Sequence, residues 1–446
     1  MTHKKYKVAI ASLGCPKNLV DTENMLGILA EAGHEIVSEP GEAEIIIVNT
    51  CGFIGDAKEE SINTVLDMAQ YKDEGTCRFI IMAGCLAERY HSEIKNELPE
   101  VDAVIGTGDY YKIAEVVDKL EKEEICLYGN ADEAVPEGLP RILSGYAHSA
   151  YLKISEGCDN HCTYCIIPKL RGKYRSRPMA DIIAEAEDMA ENGVREIILI
   201  AQDTTRYGID IYGEFSLDKL LVELEKIDKL KWIRLHYCYP EAITDKLLEV
   251  MAKSKKICHY LDMPIQHIND SVLKRMGRQS RGGQIKELIE KIRNAMPDIT
   301  IRTSLIAGFP GETDEQFEEL LEFLVEYRLD RVGVFAYSKE EDTAAYLLDG
   351  QIEEDIKHKR RDKAMQISMS ISEAKNKEKL GRVLRVMCDG FDEENMLYAG
   401  RSEADSIEID SVVYFGAERE VEPGEILEVM VLDCDEYDLY GKENVK

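Results

Sequence analysis

Six of the twelve cysteines fall into two groups whose placement suits metal chemistry. In the first group each cysteine directly follows an apolar run, and the three are Cys15, Cys51 and Cys85. The second group is one compact C-x3-C-x2-C run, formed by Cys158, Cys162 and Cys165. In a long chain of this kind, cysteines are more often metal ligands or catalytic groups than disulfide partners. Both groups are therefore candidates for metal binding.

The second group predicts an iron–sulfur cluster. Three closely spaced thiolates can hold three corners of a [4Fe–4S] cube and leave the fourth iron open. An open iron can chelate the amino and carboxylate groups of S-adenosylmethionine, and reduction then cleaves the sulfonium to a 5′-deoxyadenosyl radical. The alternative is a zinc site with His161 or a distant cysteine as fourth ligand. The chain has no second C-x2-C run, and this favours the cluster.

The first group belongs to a βαβ pattern in residues 1–125. Buried strands are predicted near residues 6–12, 44–49, 78–83 and 101–105, with amphipathic helices near 20–32, 56–70 and 87–97. Such alternation predicts a parallel sheet, whose strands all end at one edge. Since Cys15, Cys51 and Cys85 each follow a strand, they should converge there and suit a second cluster with an open iron. Three unrelated buried thiols are the alternative.

A linker is predicted over residues 126–149, and a second βα series over 150–375. Six strands, near residues 151–154, 195–201, 232–237, 260–263, 300–306 and 331–337, predict a partial (βα)6 barrel with its site where the strands end. Polar or glycine-rich positions directly after those strands are candidates for cofactor or substrate contacts. They are Gln202, Asp203, Thr204, His236, Gln266, His267, Gly308, Pro310, Gly311 and Glu312. The basic run RGKYRSRP (171–178) fits either a solvated loop or an anion site.

The last block, residues 376–446, follows a long helix predicted over 355–380 and has short alternating strands. Its turns, Asp389-Gly390 and Pro423-Gly424, predict a small all-β barrel of the oligonucleotide-binding type. The block contains 8 basic and 19 acidic residues, a net charge of −11 within a chain whose net charge is −31. An acidic barrel repels nucleic acid and favours a basic protein partner.

No apolar run approaches the about 18 residues of a membrane span. The apolar stretch near the start, residues 8–13, is too short for a signal peptide and breaks at Gly14. We therefore expect a cytoplasmic protein without a membrane partner.

These motifs resemble those of the methylthiotransferases of the radical S-adenosylmethionine superfamily, over nearly the whole chain. The resemblance rests on SLGCPKNLVDTE, NTCGFI, AGCLAERY, SEGCDNHCTYCIIPKLRGKYRSRP and RTSLIAGFPGET, together with the C-terminal barrel, which is similar to a TRAM domain. Within the family, CPKNLVD, QDTTRYG, YLDMPIQH and GVFAYSKEEDTAA look like those of the members that methylthiolate an aspartate on small-subunit ribosomal protein twelve. No departure occurs at the six cysteine positions.

The resemblance implies two [4Fe–4S] clusters and S-adenosylmethionine as cofactors. The second cysteine group would hold the radical-generating cluster, and the first group an auxiliary cluster that carries the sulfur. Gln202, Asp203, Gln266 and Glu312 are the positions we assign to S-adenosylmethionine binding. The implied partner is ribosomal protein twelve, and neither the electron donor nor a catalytic side chain is identified. The implied domains are a methylthiotransferase domain (1–125), a linker (126–149), a radical core (150–375) and a TRAM domain (376–446).

Three other functions stay open at this point. A related methylthiotransferase that acts on tRNA adenosine would need the same two clusters, although the acidic barrel makes tRNA the less suitable partner. A zinc-binding scaffold without catalytic activity would use the same cysteines as structural ligands. A radical enzyme with a single cluster would not need Cys15, Cys51 and Cys85.

Overall fold

The computed structural model describes residues 4–122 and 125–445, which form two compact units. The first unit comprises Met1–Ser144, Ser155–Arg177 and Ser338–Tyr346, and the second comprises Gly145–Ile154, Pro178–Tyr337 and Leu347–Lys446. Each unit is thus assembled from more than one stretch of chain. The domain boundaries proposed from the sequence stay predictions.

The first unit contains a six-stranded parallel sheet within the described residues, in the order β2-β1-β3-β4-β5-β6. Its strands are β1 (Lys7–Ser12), β2 (Glu35–Ile36), β3 (Ile45–Thr50), β4 (Phe79–Gly84), β5 (Ala103–Ile105) and β6 (Ile125–Leu127). The helices are α1 (Pro16–Glu31), α2 (Gly55–Ala69), α3 (Tyr71–Glu74), α4 (Cys85–Arg89), α5 (His91–Glu97) and α6 (Ile113–Lys119). This confirms the predicted parallel sheet.

Strand β3 shows why this sheet forms. All six of its residues are buried, and the period of two sends alternate side chains to opposite faces. Ile45 and Ile47 join the apolar cluster on one face, while Ile46 and Val48 join the cluster on the other. The sheet is therefore covered on both faces, as its continuous apolar strands predict.

The segment between β6 and the next strand is irregular, as its composition predicts, but it is held against α1. Arg141 donates from Nε and Nη2 to Glu23 Oε2 at 2.9 and 2.6 Å. The backbone N–H of Ser144 donates to Glu23 Oε1 at 2.8 Å. A Cβ on Gly27 of α1 would lie 2.3 Å from the carbonyl oxygen of Pro140, so the segment approaches α1 closely at a glycine.

The chain next forms β7 (Ser149–Lys153), which belongs to the second unit. It then returns to the first unit as an antiparallel pair, β8 (Ser155–Glu156) and β9 (Arg175–Ser176). Between these two short strands lie the second cysteine group and helix α7 (Ile167–Arg171). The pair β8–β9 thus closes the loop that carries these cysteines.

The second unit has a parallel sheet of six strands in the described chain, in the order β14-β13-β12-β11-β10-β7. The further strands are β10 (Glu196–Ile200), β11 (Trp232–Leu235), β12 (Ile257–Asp262), β13 (Thr300–Ala307) and β14 (Arg331–Ala336). The helices are α8 (Met179–Glu191), α9 (Leu217–Leu224), α10 (Asp245–Lys253), α11 (Asp270–Arg275), α12 (Gly282–Ala295), α13 (Asp314–Tyr327) and α14 (Glu354–Lys377). An open sheet in chain order confirms the predicted partial (βα)6 barrel.

The C-terminal block of the second unit is a closed barrel, in the order β15-β16-β17-β19-β18. Its strands are β15 (Val383–Asp392), β16 (Leu397–Ser402), β17 (Val413–Gly416), β18 (Ile426–Cys434) and β19 (Leu439–Glu443). Alternate residues of these strands, among them Val386, Phe415 and Val429, fill its core. The predicted small barrel is confirmed. Over residues 4–122 and 125–445, no helix has the length and apolar character needed to cross a membrane.

Candidate functional site

The first cysteine group converges at the edge of the sheet in the first unit. Cys15 precedes α1, Cys51 follows β3, and Cys85 follows β4. Gly14 has φ +85°, and a Cβ there would lie 3.0 Å from Cys51 Sγ. A Cβ on Gly52 would lie 2.9 Å from the carbonyl carbon of Cys85. The three cysteine loops are therefore in contact, and the two glycines leave room for that contact.

Buried amide and hydroxyl groups fix these loops. Asn18, fully buried, donates from Nδ2 to the carbonyl oxygens of Leu13 and Thr50 at 3.1 and 2.9 Å. Asn49 donates to the carbonyl oxygen of Asn18 at 2.8 Å, and Thr50 Oγ1 donates to that of Ala83 at 2.6 Å. These bonds link the first loop to the second and the second to the third. Our sequence reasoning missed these residues, although their closeness to Cys15 and Cys51 in the chain was a usable signal.

The protonation of the first group follows from its burial. Burial raises the pKa of Cys85 to about 12 and also raises the pKa of Cys51. Cys15 and Cys51 add to the rise at Cys85, because a like charge nearby disfavours a thiolate. Without metal Cys51 and Cys85 are neutral thiols, and a coordinating metal would deprotonate them. A donor set of three soft sulfur ligands fits an iron–sulfur cluster.

The second cysteine group lies in a tight loop of the first unit. The backbone N–H of Cys158 donates to the carbonyl oxygen of Gly172 at 3.1 Å, and that of Cys165 donates to Cys162 at 3.0 Å. The N–H of Asn160 donates to Cys158 Sγ at 3.4 Å. Cys158 and Cys162 are buried, and Cys165 is half-buried. Hydrogen bonds to sulfur and partial exclusion of water are both means by which proteins tune such clusters.

One apolar cluster joins Cys85 to the segment that follows the second cysteine group. Cys85 of the first group packs with Ile166 and Leu170, which lie directly after the second group in the chain. The sequence predicts two separate sites and does not predict this contact. The segments that carry the two groups are therefore neighbours within the first unit.

The spacing of thiolate ligands differs between a single metal ion and a cluster. Across the described stretches of the chain, no group of three or more His, Cys, Asp or Glu side chains is arranged to hold a metal ion. Thiolates on one zinc ion lie about 4 Å apart, since each Zn–S bond is about 2.3 Å. A [4Fe–4S] cube separates its ligands further, because each thiolate binds a different iron.

The segment Ser338–Tyr346, which we call the strap, also belongs to the first unit. Glu340 of the strap accepts from Arg89 Nη1 at 3.0 Å, and both side chains are almost fully buried. The N–H of Ala345 donates to the carbonyl oxygen of Thr163, inside the second cysteine group, at 2.7 Å. The strap therefore contacts both helix α4, which begins at Cys85, and the second cysteine loop.

In the second unit, the positions assigned to S-adenosylmethionine lie where strands end. Gln202 and Asp203 follow β10, and Asp203 accepts from Thr205 Oγ1 at 2.8 Å. Gln266 follows β12 with φ +70°, and Tyr237 follows β11 with φ +59°. Left-handed backbone at residues other than glycine is strained, and such strain concentrates at functional sites. Two such residues follow neighbouring strands, which makes this edge of the sheet a candidate for ligand binding.

Glu312 accepts hydrogen bonds from its own loop and from helix α14. Its Oε2 accepts from the N–H groups of Gly308 and Phe309 at 2.7 and 3.1 Å, and its Oε1 accepts from Arg360 at 3.1 Å. Burial raises the pKa of Glu312 to about 6 despite these partners. His236, another candidate, lies 2.9 Å from Ser406 Oγ of the barrel. Both side chains thus have structural partners.

Three family models match separate parts of the chain. The Radical SAM superfamily matches residues 152–324, and the TRAM domain matches residues 380–443. The uncharacterized protein family UPF0004 matches residues 7–106. Together with the partial barrel and the C-x3-C-x2-C loop, these matches define a radical S-adenosylmethionine enzyme.

Curated relatives identify the family of this chain among the radical S-adenosylmethionine enzymes. Ribosomal protein uS12 methylthiotransferase RimO of Thermoanaerobacter sp. (strain X514) is 49% identical over 98% of this chain and 99% of its own length. RimO of Clostridium botulinum (strain Eklund 17B / Type B) is 51% identical over 98% of both chains. The chain therefore belongs to the RimO family of radical S-adenosylmethionine methylthiotransferases.

Solved structures support the fold alone. Radical S-adenosylmethionine methyltransferase TsrM from Kitasatospora setae superposes with a TM-score of 0.53 at 13% identity, over 74% of this chain and 72% of that one. The cobalamin-dependent S-adenosylmethionine radical enzyme OxsB also superposes with a TM-score of 0.53. Its sequence identity is 14%, over 82% of this chain and 58% of that one. The predicted family and enzyme class are confirmed, and with them the predicted cofactors, S-adenosylmethionine and two [4Fe–4S] clusters.

Proposed function

We propose that this chain attaches a methylthio group to the β-carbon of an aspartate on small-subunit ribosomal protein uS12. The observation that carries the proposal is the convergence of Cys15, Cys51 and Cys85 in a chain that is 49% identical to a RimO protein over nearly its full length. A β-carbon C–H bond is not acidic enough for a side-chain base, so the reaction needs a radical.

The two cysteine groups bind clusters with different roles. Cys158, Cys162 and Cys165 hold the radical-generating cluster, while Cys15, Cys51 and Cys85 hold the auxiliary cluster. When bound, the clusters and S-adenosylmethionine supply the 5′-deoxyadenosyl radical, the methyl group and the inserted sulfur. The chain's own part is to hold these groups in fixed loops, because Asn18 and Asn49 tie the first group together and the β8–β9 pair closes the second.

Four side chains of the second unit are assigned to S-adenosylmethionine. Gln202, Asp203 and Gln266 follow strands β10 and β12, where (βα) barrels bind their ligands. Glu312 contributes by shaping the loop after β13, since both of its carboxylate oxygens accept hydrogen bonds within the unit. The strained backbone of Gln266 supports a binding role for that residue.

The barrel supports a basic protein as partner. Three of its acids are paired with arginines of the same unit: the buried side chains of Asp405 and Asp410 and the half-buried Asp389. The exposed acids are Glu393, Glu394, Glu408, Glu418, Glu420, Glu422, Asp433 and Glu436. The negative charge of the barrel therefore faces solvent, where it attracts a basic protein and repels the phosphates of tRNA. We place the enzyme in the cytoplasm, and its electron donor remains to be identified.

Mass spectrometry of purified uS12 after anaerobic incubation with the reconstituted enzyme, S-adenosylmethionine and dithionite as the one-electron reductant tests the proposal. We expect a mass increment of one methylthio group in place of hydrogen, located on an aspartate. The Cys15→Ala chain serves as the control that should give no increment. A tRNA substrate offered in parallel should stay unmodified, and a methylthio group on tRNA adenosine with unmodified uS12 would overturn the assignment.

A further inference from the structure

A buried arginine lies between the two cysteine groups of the first unit. Arg171 ends helix α7, and its side chain is 2% exposed. Its Nη2 donates to Asn18 Oδ1 at 2.5 Å and to Asp21 Oδ2 at 2.9 Å. Its Nη1 donates to Glu156 Oε2 at 3.0 Å. One guanidinium thus joins the first cysteine loop to the strand that precedes the second group.

The guanidinium also acts on the first cysteine group. The thiol of Cys85 donates to Asn18 Oδ1 at 3.7 Å, and Arg171 donates to that same oxygen atom. Arg171 and Cys85 therefore share one acceptor atom, which places the guanidinium beside the first cysteine group.

The charges around Arg171 are unbalanced once the thiols bind iron. Two carboxylates, Asp21 and Glu156, already face the single positive charge. Three thiolates together with an iron–sulfur core of charge about +2 add a net negative charge of about one to the same buried region, and reduction adds one more. Charges interact more strongly there than in water, since the effective dielectric constant is lower. A fixed cation next to Cys85 then stabilises the metal-bound state, and most of all its reduced form.

We propose that Arg171 is a positioning residue that holds its positive charge against the cluster of the first cysteine group. The proposal rests on the assignment of Cys15, Cys51 and Cys85 as ligands. A one-electron reduction by dithionite adds one negative charge to the cluster, with no bond to the arginine made or broken. Removal of the guanidinium charge makes that reduction less favourable.

The full-length chain with Cys158, Cys162 and Cys165 all changed to Ala isolates the first group. In this background we compare Arg171→Met, Arg171→Lys and Lys173→Met, a cation two residues away whose side chain is 80% exposed. Iron content is measured first, and then the midpoint potential by a dithionite titration followed by electron paramagnetic resonance. We expect Arg171→Met to shift the reduction equilibrium at least tenfold against the reduced form, about 59 mV for one electron. Arg171→Lys and Lys173→Met should change the reduction equilibrium of the cluster less than threefold.

The outcomes are distinguishable. If Arg171→Met binds no iron while Arg171→Lys binds it, the positive charge is needed for loading, and this supports the proposal. A loaded Arg171→Met chain with an unchanged potential would overturn it, as would loss of iron from both variants. Should Arg171→Met unfold, the Arg171→Met/Asp21→Asn chain is compared with Asp21→Asn, because this removes the more buried of the two carboxylates that lose their partner. An unchanged potential, or a double variant that also fails to fold or load, again counts against the proposal. If the background chain itself binds no iron, the cysteine assignment fails first.

Discussion

At the scale of single residues, the cysteines provide the metal ligands, and their polar neighbours hold the cysteine loops in position. The six cysteines stand out in the sequence because each group has a recognisable spacing or follows a strand. Arg171 opens the basic run 171–178, and Asn18 lies three residues after Cys15, so each residue gives a weak local signal. The contact between them joins positions 153 residues apart, and no local pattern could predict that pairing.

The Asn18→Ala change tests the polar network. It leaves the buried carbonyl oxygens of Leu13 and Thr50 without the donor they have now. We expect the free energy of unfolding of the cluster-free chain to fall by about 2–3 kcal/mol, since an unsatisfied buried polar group is costly. Denaturant titration measures this free energy. The control is Asn192→Ala, at an exposed position, which should lower the free energy of unfolding by less than about 0.5 kcal/mol. Equal stability of the Asn18→Ala and Asn192→Ala chains would contradict the network.

His267 makes stability depend on pH. Its Nδ1 accepts from the N–H of Asn269 at 3.0 Å, and burial lowers the pKa of His267 to about 3. The unfolded chain, with an ordinary pKa near 6.5, binds the proton more readily, so acidification from pH 6.5 towards 3 destabilises the fold. Between pH 7 and 5 this residue should cost about 2 kcal/mol. Denaturant titration at both pH values should show that the His267→Asn chain loses less free energy of unfolding between pH 7 and 5 than the wild type does. An equal loss in both chains would refute the role of His267 in this pH dependence.

At the scale of elements, periodicity was sufficient for most helices and strands. The strands near β3, β10 and β13 were predicted to within a few residues, because buried strands and amphipathic helices leave strong patterns. The short elements β2, β6, α3 and α11, and the last barrel strand β19, were missed because two to six residues carry too little pattern. The helix predicted over 87–97 is two helices, α4 and α5, which meet at Tyr90.

The strap is the element whose role the sequence did not reveal. Arg89 donates both to Glu340 and, at 2.8 Å, to the carbonyl oxygen of Gly52 beside Cys51. We expect Glu340→Gln to lower the free energy of unfolding by about 3 kcal/mol, because it leaves the buried Arg89 charge without its main partner. Glu341→Gln is the matched control, since that side chain is 43% exposed and should cost less than about 1 kcal/mol. Urea unfolding measures the loss in both variants. Equal losses would argue against the role of the strap as the main partner of Arg89.

At the scale of the whole molecule, charge is distributed unevenly. The net charge of −31 is the sum over a chain whose barrel alone contributes −11. Composition was enough to predict an acidic binding surface. It could not show that several barrel acids are buried against the parallel sheet of the same unit, because that contact depends on the tertiary fold.

Glu196 connects the sheet to the barrel within the second unit. It accepts from Arg234 at 2.9 Å and from Arg401 of β16 at 2.6 Å. Burial alone would raise its pKa, but the two arginines hold the pKa of Glu196 at about 2. We expect Glu196→Gln to lower the free energy of unfolding by about 3–5 kcal/mol, as two buried arginines lose their charged partner. Thermal and urea unfolding should show this loss, whereas Glu418→Gln on the exposed barrel surface should not.

The central claim is that this one chain holds two separate iron–sulfur clusters on two cysteine groups. Iron analysis of anaerobically reconstituted protein tests it most directly. We predict about eight irons in the wild-type chain, and about four in each of two triple variants, one with Cys15, Cys51 and Cys85 changed to Ala and one with Cys158, Cys162 and Cys165 changed. A wild-type chain with four irons, or a triple variant that still binds eight, would contradict the account.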